Sequence, residues 1–366
     1  MKLAVCCNHA MPFFTGGSEK VINQICRSLT KDYGIECCVF SPFAKSNIDY
    51  DGYKVKTISK DRNSFFKTLK NYDPDHLFIY SDSYFNWTDL MMFPERLRAK
   101  KSIALVGANH MRKHKKDLLT FKKNSNHFKV ITHSDNYEDY RLCNMLDIKA
   151  HVIPNGVNLE EFESNNIDFK NKYNIQNPII LCVSNFYPGK GQEYLLHILD
   201  KLHQKGNKFT AVFICSTVNF SPAEITYSNA RSQLKKSKYP NLLLKDIPRS
   251  DVVAAFKSSS VFAFPSQIEV APLVTLESMA SGVPFVSLNV GNVSSLNGGL
   301  VVRGGKKFGG KFKYDARIFD EFINKIEFLL QNKKERDELG EKGLEQIKKE
   351  FDWSVIKDQY YQLFFE

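Results

Sequence analysis

Short apolar runs bounded by polar turns recur along this chain, with longer amphipathic stretches between many of them. KLAVCCN is followed by a stretch with helical periodicity from about Ser18 to Lys31. ECCVFSP, HLFIYS, SIALVGA, KVITHS and HVIPNGV continue the series. This β/α alternation predicts a parallel sheet with helices on both faces. The turn Pro154-Asn155-Gly156 breaks it, and polar residues run on to about Asn177. A second alternation then begins at IILCVSN and continues through FTAVFICS, NLLLKDI, VFAFPS, PFVSLN and LVV. The tail from about Ile318 to Glu366 reads as helices rich in Lys and Glu, with aromatics near its end. The expected organisation is therefore a first doubly wound domain over 1–155, a hinge over 156–177, a second doubly wound domain over 178–347 and a closing helix over 348–366. With two such domains, the cleft between them is the expected ligand site.

Composition adds few constraints. The chain has 366 residues, 43% of them hydrophobic and 25% charged, as in an ordinary globular protein. No apolar run approaches the ~20 residues of a membrane span. The opening MKLAVCCNHAMPFF has one Lys and an apolar run short for a signal peptide, which suits a first buried strand. The eight cysteines form no CxxC pair and fall largely in strand-like runs, so buried reduced thiols in a cytoplasmic protein are expected. The charge is more informative. The net charge is +11. The segment Arg96–Lys129 holds eleven Lys and Arg against Asp117 alone. Such a patch suits a solvated face, an anionic membrane surface or an acidic acceptor. No nucleic-acid motif accompanies it. Leu118, Leu119, Phe121 and Phe128, interleaved with the lysines, are expected to add apolar contact with a membrane.

The stretch SQIEVAPLVTLESMASGVPF, Ser266 to Phe285, carries two acids, Glu269 and Glu277, in mostly apolar surroundings. The preceding run VFAFPS is a buried strand, and Pro272 suits the first position of a helix. The N–H groups of Leu273 and Val274 then lack intrahelical partners and sit at the positive end of the helix dipole, a site suited to phosphate. Eight helical residues would separate the acids by ~12 Å, too far for a glycosidase pair unless a loop shortens the path. Read alone, the two glutamates fit either an exposed helix face or a binding site.

The stretch resembles the signature of family 4 glycosyltransferases, in which Glu, seven residues and Glu precede a segment like SMASGVPFV. Four further segments resemble the family in the same order: FFTGGSEKVINQICRSL, IPNGVNLEEF, CVSNFYPGKGQEYLL and FDWSVIKDQYYQLF. That resemblance spans both domains. It implies an α/β GT-B fold of two Rossmann-like domains, with the C-terminal helix crossing back to the first. It also implies a retaining hexosyl transfer from a nucleotide sugar, UDP- or GDP-linked. By the same resemblance Glu277 holds the donor's ribose hydroxyls, Glu269 sits by the donor sugar, and the N–H groups of Leu273 and Val274 meet the diphosphate. Gly16 and Gly17 allow close backbone approach from the first domain, and Lys190 neutralises the departing diphosphate. His110 matches a family histidine that reaches the sugar. The base is read by backbone near Lys245 to Ile247.

One position departs from the family pattern. Asn185 stands where the family usually has Arg, and Asn cannot supply a bidentate cationic fork. A non-catalytic relative that binds nucleotide or glycan is the alternative that Asn185 favours. Two Asp-x-Asp strings, Asp49–Asp51 and Asp73–Asp75, read as polar loop and turn, so no metal and no cofactor beyond the donor is expected. A nicotinamide dehydrogenase is excluded because no GxGxxG follows the first strand. The expected acceptor is a glycan or lipid-linked glycan of surface polysaccharide or glycolipid synthesis. The expected location is cytoplasmic, peripheral on the cytoplasmic membrane face.

Overall fold

The computed structural model describes residues 1–81, 93–107, 115–216, 221–303 and 315–366. It divides into two compact units, one of Met1–Gly156 with Trp353–Glu366, the other of Val157–Asp352.

The first unit is built on a sheet of order β3-β4-β2-β1-β5-β6-β7-β8. Its strands are β1 (Lys2–Cys6), β2 (Glu36–Ser41), β3 (Ile48–Tyr50), β4 (Tyr53–Thr57), β5 (His76–Ser81), β6 (Lys100–Leu105), β7 (Lys129–Thr132) and β8 (Ala150–Val152). All pairings are parallel except β3 with β4. That hairpin is a correction to the loop expected around Asp49–Asp51. Asp51 and Gly52 both have positive φ, 50° and 88°, so Asp-Gly makes the tight turn that this dipeptide favours. Asp51 is held by Asn23 and Arg27, and the Asp75 carboxylate accepts the Lys2 N–H at 2.7 Å. The Asp-x-Asp carboxylates named here are thus engaged within the protein.

The chain returns to this unit at its end. Helix Trp353–Phe365 packs through an aromatic face: Phe364 stacks on the buried His76 at 4.6 Å, and Tyr361 on Tyr33 at 4.2 Å. Lys357 pairs with Asp32 at 2.6 Å, and Lys129 donates to the Leu363 carbonyl. Burial pushes the His76 imidazole down to about 3, so it stays neutral in this packing.

The second unit holds a wholly parallel sheet of order β11-β10-β9-β12-β13-β14. Its strands are β9 (Ile179–Val183), β10 (Thr210–Cys215), β11 (Asn241–Lys245), β12 (Val261–Phe264), β13 (Phe285–Leu288) and β14 (Gly299–Val302). Counted from β9 this is the order 3-2-1-4-5-6, whose switch point lies between β9 and β12. Ligands of such sheets bind outside the carboxyl ends of the strands at that point. The four central strands, β9, β10, β12 and β13, are almost entirely buried because helices cover both faces, which is why they read as unbroken apolar runs, while the edge strands β11 and β14 are mostly half-buried.

Residues 156–177, read in sequence as a hinge, carry two short helices, Leu159–Glu163 and Phe169–Lys172, and Val157 onward belongs to the second unit. They are fastened to helix Arg249–Lys257. Lys172 pairs with Asp251 at 2.7 Å, Asn165 donates to the Ser250 carbonyl, and Lys257 donates to the carbonyls of Phe162 and Asn165. Phe162 and Phe169 are buried in the core of this unit.

All eight cysteines are buried free thiols. Among the described residues no helix is long and apolar enough to cross a membrane. In the basic segment Phe121 and Phe128 are buried in the core of the first unit, so they do not provide the outward apolar contact expected of them. Leu118 packs partly against that core, and Leu119 is exposed. Some of the charge is used internally too. Lys101 donates to the carbonyls of Leu97 and Ala99, and the Arg96 guanidinium lies 4.7 Å from the Phe66 ring centroid.

Candidate functional site

Two loops meet at the switch point of the second sheet. Residues 184–191 follow β9, and 265–272 follow β12. The first is anchored on one side to β10: Ser184 N–H donates to the Ile214 carbonyl, and the Asn185 Oδ1 accepts from Ser216 N–H at 3.1 Å. Gln192, fully buried, donates to the Asn185 carbonyl at 3.0 Å. On the other side the loops join directly, since Gln267 N–H donates to the Gly189 carbonyl at 2.8 Å. Gly191 has φ +78°, and a Cβ there would lie 2.2 Å from the Pro265 carbonyl oxygen. Only glycine permits so close an approach in that backbone conformation.

This junction brings Lys190 and Glu269 together, 79 residues apart in sequence. The Lys190 ammonium lies 2.7 Å from Glu269 Oε1, which also accepts from Ser266 Oγ at 2.6 Å. Both side chains are largely covered, with 30% and 12% of their surface exposed. The acid is thus oriented by a hydroxyl and a cation while one edge reaches solvent.

Helix Leu273–Ala280 begins just beyond, with Pro272 as its N-cap residue, one place earlier than the sequence reading put it. Leu273 and Val274 are its first two residues, so their N–H groups have no carbonyl a turn back to bond within the helix. Glu277 lies one turn from Leu273 on the same helix face.

Glu277 is buried, with 4% of its surface exposed, and its neighbour is a cation that sequence reasoning missed. Arg249 Nη1 approaches Glu277 Oε1 to 2.8 Å as a close ion pair. The same guanidinium binds Glu161 through Nε at 2.8 Å and Nη2 at 2.9 Å. Burial alone lowers the pKa of a guanidinium, but the charges of Glu277 and Glu161 outweigh it and hold Arg249 above its already high ordinary value. Nothing in the spacing of residues 161, 249 and 277 signals this cluster. Ser266 and Gln192 were missed too, since their contacts, with Glu269 three residues on and with Asn185 seven residues back, depend on the path of each loop rather than on a regular spacing.

Gly16 and Gly17 are in the first unit, where Gly16 caps helix Gly17–Tyr33 in extended backbone. Oε2 of the buried Glu19 lies 2.4 Å from where a Gly16 Cβ would be, so an acid of the first turn already occupies that helix start. His110 lies outside the described residues. Asn185 faces β10 through its carbonyl oxygen rather than presenting a cation to the loop. Among the described residues no cluster of three or more His, Cys, Asp or Glu is arranged to hold a metal.

Solved structures share this architecture over nearly the whole chain. Sucrose-phosphate synthase from Thermosynechococcus elongatus superposes with a TM-score of 0.80 at 18% identity, covering 99% of this chain and 98% of that one. HepE from Anabaena, in complex with UDP-glucose, superposes with a TM-score of 0.75 at 15% identity, covering 99% and 98%. The fold is thus that of the two-domain α/β class called GT-B. Residues 163–346 match the model of glycosyl transferases group 1, and the chain belongs to that family. It is also 29% identical over 185 residues to the UDP-Gal:alpha-D-GlcNAc-diphosphoundecaprenol alpha-1,3-galactosyltransferase of Escherichia coli, a match covering 49% of this chain and 44% of that protein. The chain's matches span between 31% and 54% of the lengths of its curated relatives.

Proposed function

We propose that this protein is a metal-independent, retaining glycosyltransferase that moves a hexose from a nucleoside-diphosphate sugar to a glycan or lipid-linked acceptor, in surface polysaccharide or glycolipid synthesis. The observation that carries the reading is the Lys190–Glu269 pair, held between the loops at the carboxyl ends of β9 and β12. In this reading, as the bond to the diphosphate breaks, the acceptor hydroxyl bonds to the anomeric carbon on the face from which the diphosphate departs, and its proton passes to the departing phosphate oxygen. The electron pair and negative charge go to the diphosphate, where Lys190 and the N–H groups of Leu273 and Val274 stabilise them. Glu269 accepts hydrogen bonds from the donor sugar and Glu277 from the ribose. The UDP-glucose complex of HepE and the UDP-Gal donor in the E. coli relative's name favour a uridine nucleotide.

The test is thermal stability with UDP, GDP, ADP and CMP, each with and without EDTA. One nucleotide, with UDP foremost, is expected to raise the midpoint by several degrees, since ligand at about 100 times its Kd stabilises by about 2.7 kcal/mol. The shift is expected to persist in EDTA and to vanish in Glu277→Ala. With the matching donor, the product's anomeric configuration, read by proton NMR, should be that of the donor; inversion would rule out the retaining assignment. No shift with any nucleotide would favour a non-catalytic relative, the reading supported by the engagement of Asn185 with Ser216.

The exposed Arg98, Lys122, Lys123 and Leu119 of the first unit support a second part of the proposal, a peripheral enzyme of the cytoplasmic membrane face. Co-sedimentation with vesicles should be stronger for anionic than for neutral lipid and should weaken with salt. Equal binding to both, or to neither, would sink this part alone.

A further inference from the structure

Arg249 does more than neutralise one acid. It is the first residue of its helix, directly after the loop 246–248 that leaves β11. That loop is set by Asp246, whose φ of +54° is left-handed and whose N–H donates to the Cys215 carbonyl at 2.9 Å. From this position the guanidinium reaches Glu161 with two hydrogen bonds and Glu277 with a third contact, over the face of Phe162. One side chain thus ties the loop after β11 to helix Leu273–Ala280 and to the short helix Leu159–Glu163. Glu161 stands two residues before the stretch that matches the family model.

A carboxylate as buried as Glu277 needs a compensating cation, and it can accept from both hydroxyls of a vicinal diol only when its orientation is fixed. Arg249 supplies the charge from one side, and its own rotation is fixed by the bidentate grip of Glu161. We propose that Arg249 is a positioning residue of the nucleoside pocket: braced by Glu161, it orients Glu277 for the ribose diol and fixes the loop after β11 against it, so that ribose and base are read as one unit. This inference rests on the donor-binding reading above.

The experiment is calorimetric titration of the full chain with UDP, GDP and their 2′-deoxy counterparts. Wild type is expected to prefer one ribonucleotide over its deoxy form. In Arg249→Gln the ribonucleotide should weaken by about tenfold or more, as loss of a charged hydrogen-bond partner implies, and the deoxy form much less. The ribose-to-deoxyribose ratio should therefore fall toward one. Glu161→Gln removes the bidentate brace and should lower the ratio part of the way, less than Arg249→Gln does, because the Arg249–Glu277 contact can still form. Should Arg249→Gln not fold, Arg249→Lys carries the same test, because an ammonium cannot grip Glu161 bidentately while meeting Glu277. Equal weakening of both sugars, or of neither, would overturn the role given to Arg249 and leave the donor reading standing. Wild type that binds none of the four nucleotides would overturn the donor reading and this inference with it.

Discussion

Lys190→Ala is expected to lower the turnover of sugar transfer by about two to three orders of magnitude, with only a modest fall in the melting temperature. The magnitude is that of removing one preorganised group from a centre where negative charge develops. The stability expectation follows from the geometry. The Lys190–Glu269 pair is largely covered but not sealed from solvent, so its loss should cost about 1–2 kcal/mol, between the figures for exposed and for buried pairs. When the ammonium is removed, Glu269 keeps the Ser266 hydroxyl at 2.6 Å, so the acid is not abandoned in an apolar site. Lys190→Arg should recover part of the rate, because it restores charge in a different shape. Turnover at saturating donor and acceptor is the quantity to measure, since Lys190 acts in this reading on the departing diphosphate more than on the bound one. If Lys190→Ala turned over within about threefold of wild type, Lys190 would have no role in charge stabilisation.

The rule that makes the second sheet legible in sequence also hides its site. Parallel strands covered on both faces must be apolar along their length, so IILCV and TAVFIC announce themselves. The helices between them follow from amphipathic spacing. What spacing does not report is which polar residues meet. Lys190 and Glu269 stand out in sequence through the family resemblance alone, and their contact depends on the backbone approach of Gly191 to Pro265. Residues 156–177 look like a linker because they are polar and turn-rich. Glu161, Asn165 and Lys172 are polar there because each has a partner on helix Arg249–Lys257, some 80 to 90 residues away. The same blindness applies to Phe121 and Phe128, which lie among lysines in sequence and inside the core in the fold. Asp51-Gly52 is the opposite case. The dipeptide is a strong local hairpin signal, and reading the acids around it as a metal question obscured it.

Gly191→Ala is expected to damage both the fold of the second unit and its chemistry, the fold more than the lysine change beside it does. At φ +78° an alanine pays the left-handed penalty, about 1–2 kcal/mol. Its Cβ would also stand 2.2 Å from the Pro265 carbonyl oxygen and 2.9 Å from the carbonyl carbon. These are backbone atoms at the end of a buried strand, so no side chain can swing aside to relieve the clash. The loop after β9 must retreat, and it carries Lys190 with it, away from Glu269. The summed destabilisation should reach about 2–4 kcal/mol, in the range of mutations that force backbone strain. In a denaturant titration this appears as a lower midpoint with an unchanged slope. Gly189, also at positive φ but with open space around its would-be Cβ, is the internal control: alanine there should cost only the conformational term. Equal destabilisation by the two substitutions would mean that the contact with Pro265 does not set the loop. A larger loss in Gly191→Ala, accompanied by a fall in transfer rate at temperatures where the variant is folded, would tie the position of Lys190 to this one close approach.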